Sequence, residues 1–131
     1  MIITCVTFFA LFTSTAFADT ATSELPTTEQ QLATWIAGTE WKSVQPTKGQ
    51  ETRIIRRFYS DGTMRIQKDV SKWTEGAPSS KVKYQITSAN TLEFGPLRWT
   101  AVLSADFEKY TATSPIARRT VTAQLIGRFQ D

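Results

Sequence analysis

A hairpin signal within Ile54-Ile55-Arg56-Arg57-Phe58-Tyr59-Ser60-Asp61-Gly62-Thr63-Met64-Arg65-Ile66 constrains this chain more than any other feature. Asp-Gly between two β-rich runs marks a tight turn, because Gly takes positive φ without steric cost and Asp tolerates turn conformations. Packing chooses the loop length. A two-residue loop pairs Phe58 with Arg65 and Arg57 with Ile66, which mixes the faces of the sheet. A three-residue loop, with Gly62 in the left-handed position, pairs Phe58 with Met64 and Arg56 with Ile66. That register gathers Ile54, Phe58, Met64 and Ile66 on one face and is the one expected.

Arg56 then lies between Ile54 and Phe58 on the inward face. A guanidinium among apolar neighbours needs a carboxylate, a carbonyl or a ligand. An internal ion pair, or an arginine reaching to the mouth of a barrel, satisfies it in one way. An anionic ligand head group satisfies it in another. The opposite face carries Arg53, Arg57 and Arg65 and reads as a solvated face, or as an edge kept from aggregating.

Short runs of period two continue from Thr39 onward, broken by turn residues at intervals of about 8 to 12. Lys81-Val82-Lys83-Tyr84-Gln85-Ile86-Thr87 places Val82, Tyr84 and Ile86 on one face, and Lys81, Lys83 and Gln85 in water. Leu97, Trp99, Ala101 and Leu103 alternate with Arg98 and Thr100, and Val121, Ala123 and Leu125 alternate with polar residues near the end. Thr91 to Phe94 stops at Gly95-Pro96, and Thr39 to Gln45 forms the first strand. Residues 103–110 echo 59–66 weakly, which suggests a second, similar hairpin. Ahead of the strands, Thr28 and Gln31 have capping-box spacing, Leu32, Trp35 and Ile36 follow at helical spacing, and Gly38 can end the helix. The expected fold is all-β: an antiparallel meander barrel of seven or eight short strands, one end plugged by a short N-terminal helix. A five-stranded OB-type barrel is the alternative, though its helix lies mid-chain and the helical signal here comes first.

Residues 1–18 begin with an uncharged apolar run and end Ala16-Phe17-Ala18, the pattern of a secretory signal peptide cleaved before Asp19. The run is shorter than the ~20 apolar residues of a stable span, so no membrane anchor is expected after cleavage. Residues 19–27 read as a flexible leader and 28–131 as one domain. The expected location is therefore exported, periplasmic or extracellular. Cys5 is the chain's one cysteine and lies in the signal, so the domain must stand without a disulfide.

The chain has no histidine. Ser-His-Asp and Cys-His catalysis are thereby excluded, as are zinc sites built on His and Cys. Asp106 and Glu108 sit at a turn, where a solvated pair is the ordinary arrangement, and no phosphate loop, metal spacing or nucleophile motif is present. The expectation is a protein that is not an enzyme and holds no cofactor or metal. Its net charge of +3 speaks to solubility and steering and does not point to nucleic acid as a partner.

Among the four tryptophans, Trp35 and Trp99 occupy periodic apolar positions. Trp73 precedes the loop Thr74-Glu75-Gly76-Ala77-Pro78-Ser79-Ser80, where it could stack on a sugar, close a pocket or cover the end of a core. Trp41 follows Gly38 at the start of the first strand, after the short helix. This opening resembles that of lipocalin-like (calycin-type) small β-barrel domains, a pattern that recurs in small exported bacterial domains. The resemblance rests on residues near each end, and the spacing here, Gly38-Thr39-Glu40-Trp41, is one residue longer than the family's Gly-x-Trp. It implies that an arginine from the chain's end, here Arg128, stacks on Trp41 and closes the barrel base.

Two functions follow. One is a binding protein for a small apolar or amphipathic ligand, held by Phe58, Trp73, Tyr84 and Trp99 with Arg56 meeting any acid group; Trp41, Arg128 and Gly62 have structural roles. The alternative is a solid-core module that binds an envelope protein or a polysaccharide through its surface, using the basic hairpin, Trp73 and the Pro115 loop with Arg118-Arg119.

Overall fold

Strand β2 (Gln50–Phe58) turns into β3 (Thr63–Lys68) through the three-residue loop that packing requires. Phe58 pairs with Met64 and Arg56 with Ile66. Gly62 sits at φ +86°, and the Asp61 carboxylate accepts from the Thr63 amide and hydroxyl at 2.9 and 2.6 Å. A second hairpin does form over residues 103–110, but it matches the first hairpin one residue out of step with the sequence echo and with a loop one residue longer, Asp106 and not Ala105 standing in the place of Asp61. Asp106 accepts from the Glu108 amide, and Phe107, not a glycine, takes the left-handed position at φ 59°. Phe107 does so because its ring is wanted inside: it is 6% exposed and packs edge-on against Trp35.

A computed structural model describes residues 24–131 of the chain; the expected signal and the start of the leader lie outside them. The element order is helix α1 (Glu29–Ile36), then β1 (Thr39–Thr47), β2, β3, β4 (Ser80–Ser88), β5 (Thr91–Phe94), β6 (Trp99–Leu103), β7 (Lys109–Ser114) and β8 (Arg119–Arg128). All eight strands are antiparallel to their neighbours in chain order, and β8 returns to pair with β1, so the sheet closes on itself as a meander barrel. Closure leaves no free strand edge, so the edge-protection expected of the basic hairpin is not needed.

Thr28 caps α1, its hydroxyl accepting from the Gln31 amide at 3.1 Å. The Gln31 side chain reaches back one residue beyond the cap, accepting from the Thr27 amide and hydroxyl. Leu32 and Ile36 are fully buried, so the helix presents its apolar side to the barrel end. Gly38 follows at φ +85°, and its amide and carbonyl join the Phe58 carbonyl and the Phe129 amide. A side chain there would strain the backbone and meet the Phe129 oxygen at 3.2 Å.

Inward positions alternate with outward ones along each strand. Thr120, Thr122 and Gln124 of β8 are exposed while Val121 and Ala123 are buried, and Lys81, Lys83 and Gln85 face out from β4. An apolar inside with a polar outside is the reverse of a barrel that faces lipid around its girth. No helix among the described residues is long and apolar enough to cross a membrane.

Candidate functional site

The inward face of the barrel divides into two layers. Toward α1, rings fill the interior: Trp41 packs on Tyr110 with centroids 5.0 Å apart, and Phe58 meets Tyr84, Tyr110 and Phe94 at 5.2, 6.4 and 6.5 Å. Edge-on and tilted contacts of this kind add to the burial energy of each ring. Phe58 is thus wholly enclosed, and the Tyr84 hydroxyl donates to the Tyr59 carbonyl at 2.8 Å. Burial pushes the Tyr84 phenol up to about 12.

Toward the other end, where the four strand-to-strand turns β1–β2, β3–β4, β5–β6 and β7–β8 form a mouth, the inward residues are smaller and more polar. Ser43 and Gln45 extend the inward face of β1 beyond Trp41, and both are buried. Ile54 and Val121 are buried beside them, whereas inward-facing Ile66, Val82 and Trp99 are only half-buried, so solvent reaches this layer. Arg56 lies between the two layers.

Arg56 is 6% exposed and points into the barrel, as its register requires. Its Nη1 donates to the Ser43 hydroxyl at 2.7 Å, and its Nε, also buried, meets no acceptor. The Tyr110 hydroxyl lies close enough to feel both the charge and the N–H groups of Arg56, yet it too finds no partner at full hydrogen-bond geometry. Burial raises the Tyr110 phenol well above its usual value, and the arginine offsets only part of that rise. Among the described residues, neither Arg56 nor Tyr110 is bonded to a carboxylate. An ion withdrawn from water without a counter-charge is costly; among the described residues Arg56 Nε and Tyr110 Oη are the unpartnered buried polar atoms that face into the barrel, while Arg65 Nε is a third, on the outer wall.

The other sequence candidates lie elsewhere. Trp73 stands on the outer wall, where the β3–β4 loop folds back over β2 and β3. Gln67 holds that loop by donating to the Thr74 carbonyl and accepting from the Thr74 amide, and Ile55 next to it is fully buried. The Arg57 guanidinium lies over the Trp73 ring, 4.6 Å from its centroid, and over the Phe129 ring, 4.4 Å from its centroid. Arg57 also pairs with Glu40 at 2.8 Å and Glu75 at 3.0 Å. It is therefore no solvated surface arginine, contrary to expectation. Burial alone would lower its pKa, but the bonds to Glu40, Glu75 and Tyr59 outweigh that and raise it. Arg65 completes the stack over Tyr59 at 4.8 Å.

Arg128 does not stack on Trp41. Its guanidinium lies over Trp35, 5.0 Å from the ring centroid, and donates to the Trp35 carbonyl. The reason is that Trp41 points into the barrel, its Nε1 bonded to Thr39, while Trp35 of α1 lies between it and the surface. The structure brings Arg56 and Trp99 to the same half of the interior, encloses Phe58 and Tyr84 in the ring layer, and leaves Trp73 outside.

Ser43, Gln45 and Tyr110 were not singled out from sequence. The signal for the first two was available, since Trp41-Lys42-Ser43-Val44-Gln45 puts polar groups on the face that Trp41 declares inward. Two open depressions also occur, one of about 670 Å³ beside Pro26 and Trp35 of the helical end and one of about 360 Å³ beside Lys83 and Glu93, but neither is lined by Arg56. Among the described residues no group of acidic, Cys or His side chains could hold a metal. Compared with family models, with curated proteins and with solved structures, the chain matches none.

Proposed function

We propose that the mouth half of the barrel binds a small amphipathic anion, its acid group held by Arg56 with the hydroxyls of Ser43 and Tyr110. The single observation that carries this reading is a nine-tenths buried guanidinium whose Nε has no acceptor and whose side chain has no carboxylate. A carboxylate or similar group arriving there supplies both the missing charge and the missing acceptors. The apolar remainder of the ligand has Ile54, Ile66, Val82, Trp99 and Val121 for neighbours. The site is one for binding and not for turnover: it offers donors and a fixed cation, but neither a paired acid and base nor a nucleophile. This is the binding role read from the inward residues of the sequence, in a protein whose residues 1–18 read as an export signal. A solid-core interaction module remains the second reading, supported by the ring-filled half of the interior.

The test is native mass spectrometry of the protein purified from its exporting cell, with decanoate titrated against the tryptophan fluorescence of a delipidated sample. A bound acid, or a saturable decanoate response that Arg56→Met weakens at least tenfold, supports the carrier. A bare mass together with no response to millimolar decanoate rejects it in favour of the solid-core module.

A further inference from the structure

The mouth has an outer rim as well as an interior. The turns that form it carry Lys48, Arg98 and Arg118 in left-handed conformations, at φ 51°, 57° and 57°. Left-handed backbone favours glycine or asparagine, so arginine or lysine at three such positions is not explained by turn geometry. Arg53, Lys68, Lys72 and Arg119 are exposed on the same end or in its loops, against two exposed acids, Glu51 and Asp69. Glu75 belongs to one of these loops but is taken up by Arg57 on the outer wall. The helical end has the opposite balance: Glu24, Glu29, Asp61, Asp106, Glu108 and Asp131 are exposed there against the exposed cations Lys109 and Arg128. The domain is thus polarised along the barrel axis.

Two large apolar side chains stand among the cations of the rim. Leu97 is 41% exposed at the tip of the β5–β6 turn, and Ile116 is 54% exposed at the tip of the β7–β8 turn. Each follows an exposed proline and precedes arginine within two residues, in Pro96-Leu97-Arg98 and Pro115-Ile116-Ala117-Arg118-Arg119. Ser114 ties the two turns together, donating to the Leu97 carbonyl at 2.6 Å and accepting from the Ala117 amide at 2.9 Å. The tips are therefore held side by side as one unit. Neither side chain is used by the core, and turn tips are ordinarily polar.

From these observations we infer that the mouth is a docking face for an anionic lipid surface, with Leu97 and Ile116 entering the interface and Arg98, Arg118, Arg119 and Lys48 meeting phosphate groups. Apolar tips ringed by cations suit the boundary between headgroups and acyl chains, where burial and electrostatic attraction add. A nucleic acid would give the cations partners but leave Leu97 and Ile116 in water. The acidic helical end points away from the surface, which fixes the orientation of the barrel. This inference does not depend on an acid at Arg56, which lies inside and faces no lipid in this arrangement.

The experiment is co-sedimentation of the intact domain with sucrose-loaded vesicles of phosphatidylcholine alone, or with about a third phosphatidylglycerol. Binding is expected to the mixed vesicles only and to weaken between about 20 and 500 mM salt. Leu97→Ser with Ile116→Ser should reduce the partition coefficient at least tenfold. Arg98→Gln with Arg118→Gln and Arg119→Gln should reduce it by roughly a hundredfold, at about fivefold per cation. Lys109→Gln at the opposite end and Arg56→Met inside should leave it unchanged, with circular dichroism showing that every variant is folded. No binding to mixed vesicles at low salt overturns the proposal, as does equal binding to phosphatidylcholine alone or by both loop variants. Loss of decanoate binding in Arg56→Met with vesicle binding intact separates this face from the interior site.

Discussion

Arg56 and Arg57 are neighbours on β2 and face opposite sides of the barrel wall, and almost everything about their surroundings differs. Outside, Arg57 contacts the rings of Trp73 and Phe129 and is bonded to Glu40 and Glu75. Inside, Arg56 has one serine hydroxyl and an unsatisfied Nε. The outer arginine ties the β3–β4 loop, β1 and the C-terminal residues to one point, so its charge is matched where it stands. The inner one is more deeply buried and yet less matched. A fold under selection for stability alone has no use for the second arrangement, and that contrast is what separates a structural cation from a functional one.

The largest expected effect tests this contrast directly. Arg57→Met should destabilise the domain by roughly 2–3 kcal/mol in urea unfolding, because Glu40 is left half-buried without a partner and two ring faces lose their cation. Arg56→Met should leave stability unchanged, or raise it by up to about 2 kcal/mol, because an apolar side chain of similar length replaces an uncompensated charge. If Arg56→Met costs as much as Arg57→Met, then the interior arginine is structural and the contrast collapses.

A smaller effect resolves the outer cluster into its parts. The Glu40 side chain is 16% exposed and that of Glu75 is 82% exposed, though both touch Arg57. Glu40→Gln is expected to cost about 1–2 kcal/mol, and Glu75→Gln less than about 0.5 kcal/mol, since solvent and salt screen the outer pair. Equal losses would show that the β3–β4 loop, and not burial, sets the strength of the cluster.

The inward position of Arg56 was legible because the hairpin offers only two registers and one of them mixes the faces. The barrel followed from the same period-two logic, repeated in strands whose two faces differ sharply, such as Lys81–Thr87. Arg57 was misread for a reason that local pattern cannot repair. Its partners are Glu40, Trp73, Glu75 and Phe129, and only the closed barrel and the folded-back loop bring residues so far apart in the chain together. Arg128 was placed at the correct end but on the wrong ring, because nothing local says that the Trp35 ring, at a periodic apolar position of the helix, comes to lie between Trp41 and Arg128. Tyr110 went unnoticed for a simpler reason: Lys109-Tyr110-Thr111-Ala112-Thr113 reads as an ordinary strand, and its hydroxyl gains interest only once Arg56 lies beside it.

The smallest effect concerns two inward phenols, Tyr110 buried and Tyr84 half-buried, which repeat the contrast between arginines in neutral form. The Tyr84 hydroxyl has a partner in the Tyr59 carbonyl, whereas that of Tyr110 has none. Tyr84→Phe should therefore cost about 1 kcal/mol, and Tyr110→Phe close to nothing. Base titration separates them further. Burial raises both phenols in the folded protein, Tyr84 to about 12, while in the unfolded chain they ionise near pH 10. Above about pH 10 the unfolded state loses protons that the folded state keeps, so stability is full below that pH and declines from there toward about pH 12. Tyr84→Phe should make that decline shallower, and Tyr110→Phe should do likewise. A decline as steep in the double variant as in the parent would assign the base sensitivity to other groups and remove the phenols from the comparison.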